Sequence, residues 1–184
     1  IDPLALVDEF GVDPVRFFLL REIPFGQDGS YSADAIVTRM NADLSNELGN
    51  LAQRSLTMVA KNLDSKVPTP GEFTADDQAL LARADALLDI CRREFDVQSL
   101  HSAVEAIWSV LGETNRYFSQ QEPWVLRKTD PDRMATVLYV TLEVLRIVGI
   151  LVQPLMPGSA ARILELLGDP AHEFTDIGTR IVPG

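Results

Sequence analysis

The sequence predicts an all-helical bundle, and three observations carry that prediction. Apolar residues recur at spacings of three and four along most of the chain, no alternation of apolar and polar residues reaches useful strand length, and capping residues followed by prolines stand where helices would begin. With 184 residues, 46% of them hydrophobic, and a mean hydropathy near zero, the chain has the composition of one well-packed folded domain and is short for two.

The elements follow in order. Pro3 to Glu9 and Pro14 to Glu22 read as two short helices, each with an aspartate before its proline as cap. Residues 24 to 30 form a turn-rich connector. Ser32 caps a long helix from Ala33 to about Lys61, whose apolar stripe is Ile36, Met40, Leu44, Leu48, Leu51 and Met58. Pro68, Pro70 and Gly71 make residues 62 to 73 a loop. A second long helix starts at the Thr74 cap, carries Leu80, Leu81, Ala84, Leu87, Leu88 and Cys91, and ends near Phe95. A third, Val97 to Ser119, turns Leu100, Val104, Ile107, Leu111 and Phe118 inward, with Trp108 in the core or at its edge. Pro131 opens a fourth that runs to Val152. Its apolar run is interrupted by Glu143 and Arg146 and stops before Pro154, which marks a buried core helix rather than a membrane span. Pro157 opens the last helix and Gly168 closes it.

A formal net charge of -11 argues against nonspecific binding to nucleic acid or to an anionic membrane, because phosphate contacts need Lys and Arg. Any nucleic-acid role has to be local and shape-specific. Cys91 is the single cysteine, which excludes an internal disulfide and a cysteine-based zinc cluster and fits a reducing compartment. Its neighbours Leu87, Leu88 and Ile90 make it a core residue. The chain opens on Ile1-Asp-Pro3, with neither an initiator methionine nor a signal-peptide layout, and reads as a piece of something longer. Neither His101 nor His172 stands in a Glu-x-x-His pair. His101 and Glu105, four apart, read as a solvated or hydrogen-bonded pair before they read as metal ligands. No glycine-rich phosphate loop or nucleophile motif is present, so no catalytic residue, metal or cofactor is assigned to this chain, and it is expected to perform no chemistry alone.

Two stretches carry binding chemistry instead. In Asn41-Ala-Asp-Leu-Ser-Asn-Glu-Leu-Gly-Asn-Leu-Ala-Gln-Arg54, residues Asn50 and Arg54 lie about 40° apart on a helix, on the shoulder of the apolar stripe. An amide and a guanidinium suit the edge of an unpaired base, and equally an ordinary solvated helix surface. In Asn115-Arg-Tyr-Phe-Ser-Gln-Gln-Glu-Pro-Trp124-Val-Leu-Arg-Lys128, Pro123 fixes the backbone before Trp124, and Arg127 and Lys128 follow within a turn. Either Trp124 is a stacking platform beside a basic patch, or it closes the end of the bundle core.

Read together and in this order, the segments resemble the C-terminal part of the methionyl-tRNA synthetase family, class I aminoacyl-tRNA synthetases. Residues 1 to 20 resemble the stretch after that family's Lys-Met-Ser-Lys-Ser loop, and Arg21-Glu-Ile-Pro-Phe-Gly-Gln-Asp-Gly29 the bridge into its helical domain. Asn41 to Arg54 resembles the first anticodon-binding helix, Gln121-Glu-Pro-Trp124 the second contact region, and Gln153-Pro-Leu-Met-Pro157 a late-bundle element shared with valyl, isoleucyl and leucyl relatives. The resemblance implies a helical bundle of the class I synthetase anticodon-binding type over residues 31 to 184, with residues 1 to 30 as the tail of a connective, stem-contacting module. It further implies that Asn50, Arg54 and Trp124 recognise a CAU anticodon of tRNA(Met), Trp124 by stacking and the other two by hydrogen bonds to its first base. Asn46, Pro123, Arg127 and Lys128 are implied as supporting contacts. The intact cytoplasmic enzyme would use ATP to join methionine to tRNA, with the catalytic domain, which is absent from these residues, as a partner. Phe17, Phe18, Leu19 and Leu20 are then expected to expose apolar surface once separated from that domain. Two other readings are a helical domain of a Val, Ile or Leu synthetase and a helical protein-interaction module without an RNA role.

Overall fold

A computed structural model describes residues 2–29, 32–169 and 173–184; His172 and the end of the 24–30 connector fall outside them. The described residues contain helices and no β-strand. They are α1 (Pro3–Phe10), α2 (Val12–Glu22), α3 (Ala33–Arg39), a π-helical stretch (Met40–Gly49), α4 (Asn50–Asn62), α5 (Ala75–Asp85), α6 (Leu87–Asp96), α7 (Leu100–Gln121), α8 (Pro123–Thr129), α9 (Pro131–Leu151) and α10 (Pro157–Leu166), with a short 3-10 turn at Phe174–Gly178.

The fourth predicted helix, α9, is the axis of the bundle. From Met134 to Leu151 all but one of its residues are buried, Ala135 excepted, and it packs against α4, α5, α7, α8 and α10. It is long and apolar enough to cross a membrane, but 94% of its most apolar window is covered by the protein's own helices. Gly149 lets α10 cross closely: a Cβ there would meet Leu164 Cδ2 at 3.1 Å. The two charges that interrupt the run satisfy each other. Glu143 accepts from Arg146 Nε and Nη2, both at 2.9 Å, and also from the backbone N–H of Ile181 at 2.9 Å. This last bond, with Tyr139 Oη donating to the Ile181 carbonyl and Val67 and Gly184 exchanging backbone bonds, ties the C-terminal strap across the core.

Several expectations are corrected. Asp13 does not cap α2, which begins earlier, behind Gly11; its carboxylate accepts instead from the backbone N–H groups of Gly158 and Ser159, capping the N-terminus of α10 from a distance. With Arg16 donating to the Pro154 and Leu155 carbonyls, it pins the first two helices to the end of the bundle. Phe17 and Phe18 are each 1% exposed rather than on the surface: Phe17 packs on Trp108, and Phe18 joins Leu6, Val15 and Ile36 in a small second core. Only Leu19 of that quartet is exposed. The helix expected from Thr74 to Phe95 breaks at Ala86, where its buried set passes from Leu80, Leu81 and Ala84 to Leu87 and Cys91. The third long helix starts at Leu100, not Val97, because Gln98 turns left-handed at φ 59°. The segment before Pro131 holds a further helix, α8.

The long helix from residue 33 to 62 is continuous, but not α-helical throughout. Over Met40–Gly49 its bonds reach one residue further, as where Asn50 N–H donates to Ser45 O. Gly49 fits this widened coil: a Cβ there would stand 3.0 Å from the Leu44 carbonyl oxygen. Two side chains of α7 meet carbonyls of the stretch, Trp108 Nε1 at Asp43 O (3.2 Å) and Asn115 Nδ2 at Glu47 O (3.1 Å). The wider coil also moves the buried stripe. Ile36, Leu48 and Leu51 are buried as expected, Met40, Leu44 and Met58 only half-buried, and Ser55 and Val59 continue the stripe into the core.

Candidate nucleic-acid interface

The fold brings two of the sequence-predicted residues together around a third that the sequence had placed in the core. Arg54, half-buried on α4, lays its guanidinium over two rings, with Cζ 5.0 Å from the centre of Phe118 on α7 and 5.3 Å from the centre of Trp124 on α8. The two rings are 6.2 Å apart and inclined at 56°. Phe118 is 1% exposed and forms the floor; Trp124 is 41% exposed and forms a wall. A guanidinium held by ring faces keeps its planar N–H edge for a ligand, and such contacts contribute about 0.5–2 kcal/mol to its placement. Phe118 is therefore a site residue that periodicity reads only as core.

The Trp124 wall has a local cause. α7 ends at Gln121, Glu122 adopts a left-handed backbone (φ 48°, ψ 55°), and Pro123 starts α8 as its first residue, buried. Left-handed geometry at a non-glycine residue and a fixed proline φ leave the turn few alternatives. The indole thus leaves the bundle at a set angle, exposed on one side, rather than closing the core.

Asn46 and Asn50 are exposed on the π-helical stretch and at the start of α4, and Arg127 and Lys128 are exposed in the last turn of α8. Among the described residues no side-chain hydrogen bond or ion pair engages Asn46, Asn50, Arg54, Arg127 or Lys128. Their donors are uncommitted. The two stretches are joined by Arg54 over the Trp124 ring and by Asn115 Nδ2 donating to Glu47 O. At the margin, Asn115 anchors Glu47, whose carboxyl is pushed up by burial and by Asp43 beside it. A half-exposed indole, a shelved guanidinium and two free amides form a set able to stack and hydrogen-bond one unpaired base.

The other candidates are spent on structure. Glu105 pairs with Arg21 at 2.9 Å instead of with His101, whose Nε2 lies 3.4 Å from Ser102 Oγ. Cys91 is buried, and burial with Glu94 nearby pushes its thiol up to about 11. Among the described residues no group of three or more His, Cys, Asp or Glu is arranged to hold a metal.

Comparison with known proteins places the chain in one family. Residues 67–181 match the family model of the anticodon-binding domain of methionyl-tRNA ligase, and residues 1–56 that of class I tRNA synthetases of the methionine type. A methionine–tRNA ligase of Mycobacterium bovis is 60% identical over 190 residues, covering all of this chain and 37% of the relative; that of Brucella melitensis is 60% identical over 179 residues, covering 96% and 35%. The crystal structure of the apo form of Mycobacterium tuberculosis methionyl-tRNA synthetase superposes with a TM-score of 0.98 at 60% identity, over the whole of this chain and 38% of that one. A structure of the same enzyme in complex with methionyl-adenylate gives the same score. The chain thus spans little more than a third of the length of these relatives.

Proposed function

The chain belongs to the family of methionyl-tRNA ligase anticodon-binding domains, and on that premise we propose that it reads the CAU anticodon of tRNA(Met) with Trp124, Arg54 and Asn50. The observation that supports this best is the guanidinium of Arg54 held over the rings of Phe118 and Trp124. An anticodon base would stack on the exposed indole face while Arg54 and Asn50 hydrogen-bond to its edge. Asn46 would contact the neighbouring loop, Pro123 would keep the platform turn fixed, and Arg127 and Lys128 would meet backbone phosphate. The acidic remainder of the surface would repel phosphate elsewhere and so disfavour misplaced RNA.

In this reading residues 1–30 end the connective module and residues 31–184 form the anticodon domain. The parent enzyme would activate methionine with ATP in the cytoplasm and transfer it to tRNA, with most of its catalytic domain outside this chain, whose residues 1–56 match the class I synthetase model. The testing experiment is binding of this chain to a stem-loop bearing CAU and to one bearing another triplet, with the parent sequence and with Trp124→Ala. A preference for CAU that vanishes with Trp124 supports the reading. Equal binding to both loops removes it in favour of a helical interaction module, and preference for a Val, Ile or Leu anticodon would reassign the amino acid.

A further inference from the structure

A buried ion pair holds the end of α7 from which the Trp124 turn springs. Asp77, in the first turn of α5, is fully buried; its Oδ2 accepts from Thr74 N–H at 2.9 Å and its Oδ1 from Tyr117 Oη at 2.6 Å. Arg133, in the first turn of α9, forks onto both oxygens, with Nη2 at 2.8 Å from Oδ1. The same Nη2 donates to the side-chain oxygen of Gln121 at 2.7 Å. Tyr117 and Gln121 are four residues apart, so the last turn of α7 is fastened twice to one ion pair supplied by two other helices. Only Glu122, in its left-handed conformation, and Pro123 separate that anchor from Trp124.

A buried ion pair is weak grounds for stability, since well-packed apolar residues of similar volume often do as well. Its strength is geometric: a bidentate fork fixes both distance and orientation. The turn it holds has few conformations of its own, so the position of Gln121 carries through to the indole.

We propose that Asp77, Tyr117, Arg133 and Gln121 are a positioning clamp that sets the indole of Trp124 against Arg54 and thereby sharpens selection at the anticodon site, without touching RNA. The proposal rests on the anticodon reading for its consequence, but the clamp itself is measurable without RNA. The chain has two tryptophans, so a 15N-labelled sample gives two indole N–H signals. That of Trp108, bonded to Asp43 O, is the internal control.

In Gln121→Ala the Trp124 signal is expected to shift and gain mobility, while the Trp108 signal holds and the melting temperature falls by only a few degrees. Affinity for the CAU stem-loop should fall about tenfold, as misplacement of one stacking ring implies. Gln121→Glu, whose carboxylate still accepts from Arg133, should restore both. Should Gln121→Ala melt early, Tyr117→Phe, which removes one donor to Asp77 at nearly constant volume, is read by the same signals. An unchanged Trp124 signal in these variants overturns the proposal. So does a loss of RNA binding equal in Gln121→Ala and Gln121→Glu, which would make the Gln121 amide a direct RNA contact. If the parent chain binds CAU and other loops alike, the anticodon reading fails, and the RNA-free indole signals still decide the clamp.

Discussion

The indole nitrogen of Trp108 lies 3.2 Å from the main-chain carbonyl oxygen of Asp43 and donates to it. This bond fastens the middle of α7 to the π-helical stretch that precedes Asn50. In Trp108→Phe the ring remains as packing for Phe17, but the Asp43 carbonyl loses its donor. The expected loss is about 1–3 kcal/mol, measured by urea unfolding. Faster amide exchange should appear in residues 41 to 50 ahead of α9.

Trp124 carries the opposite expectation. With 41% of its surface exposed, its truncation to Ala should cost the fold less than the roughly 3–5 kcal/mol of a buried tryptophan. RNA affinity should drop by about 1–3 kcal/mol. Thermal melting and stem-loop binding on one sample separate the two. A melting loss at the buried-residue level would return Trp124 to the core.

Glu143 should be intolerant of change. It is fully buried and accepts from Arg146, Arg180 and the backbone of Ile181. Glu143→Gln leaves Arg146 under-compensated and should destabilise by about 3–5 kcal/mol. Because the same carboxylate holds the C-terminal strap, trypsin should cleave after Arg180 sooner in the variant. Unchanged cleavage would show that Tyr139 and Val67 hold the strap unaided.

Asp77 predicts the acid limb of stability. Burial alone would raise its carboxyl, but hydrogen bonds from Arg133, Tyr117 and Thr74 outweigh burial and hold it below the usual range. A carboxylate depressed in the folded state adds stability above its unfolded value of about 3.9, and that contribution is lost as pH falls through the lower folded value. Asp77→Asn should therefore be less stable than the parent at pH 7 and lose less between pH 5 and pH 2. Parallel stability curves would count against it.

The periodicity of three and four gave the order of the long helices, with the 74–95 segment broken at Ala86, and the caps at Ser32 and Thr74 stand in the structure. What local pattern did not carry was long-range. Asp13 looks like a cap for its own helix, and nothing nearby in sequence announces that its partners lie about 145 residues away. Phe17 and Phe18 find their cover in Trp108 and Ile36, which also lie on other helices. Of the candidate site, Asn50, Arg54 and Trp124 were singled out by residue type and resemblance, and the structure brings Arg54 to the Trp124 ring. Phe118 was not, because a ring that serves as core on one side and shelf on the other has the periodicity of core alone.

The ten residues of wider coil within the helix from 33 to 62 give that helix the behaviour of a vernier. One scale, read by α7 through the carbonyls of Asp43 and Glu47, is offset from a second, read at Asn50 and Arg54. Deleting a single position between them while the wide coil persists would turn everything beyond by about 100°, carrying Arg54 off the rings of Phe118 and Trp124. Chain length is thus a coordinate of this site alongside residue identity, and side chains along the stretch should be exchanged more readily than a position is lost.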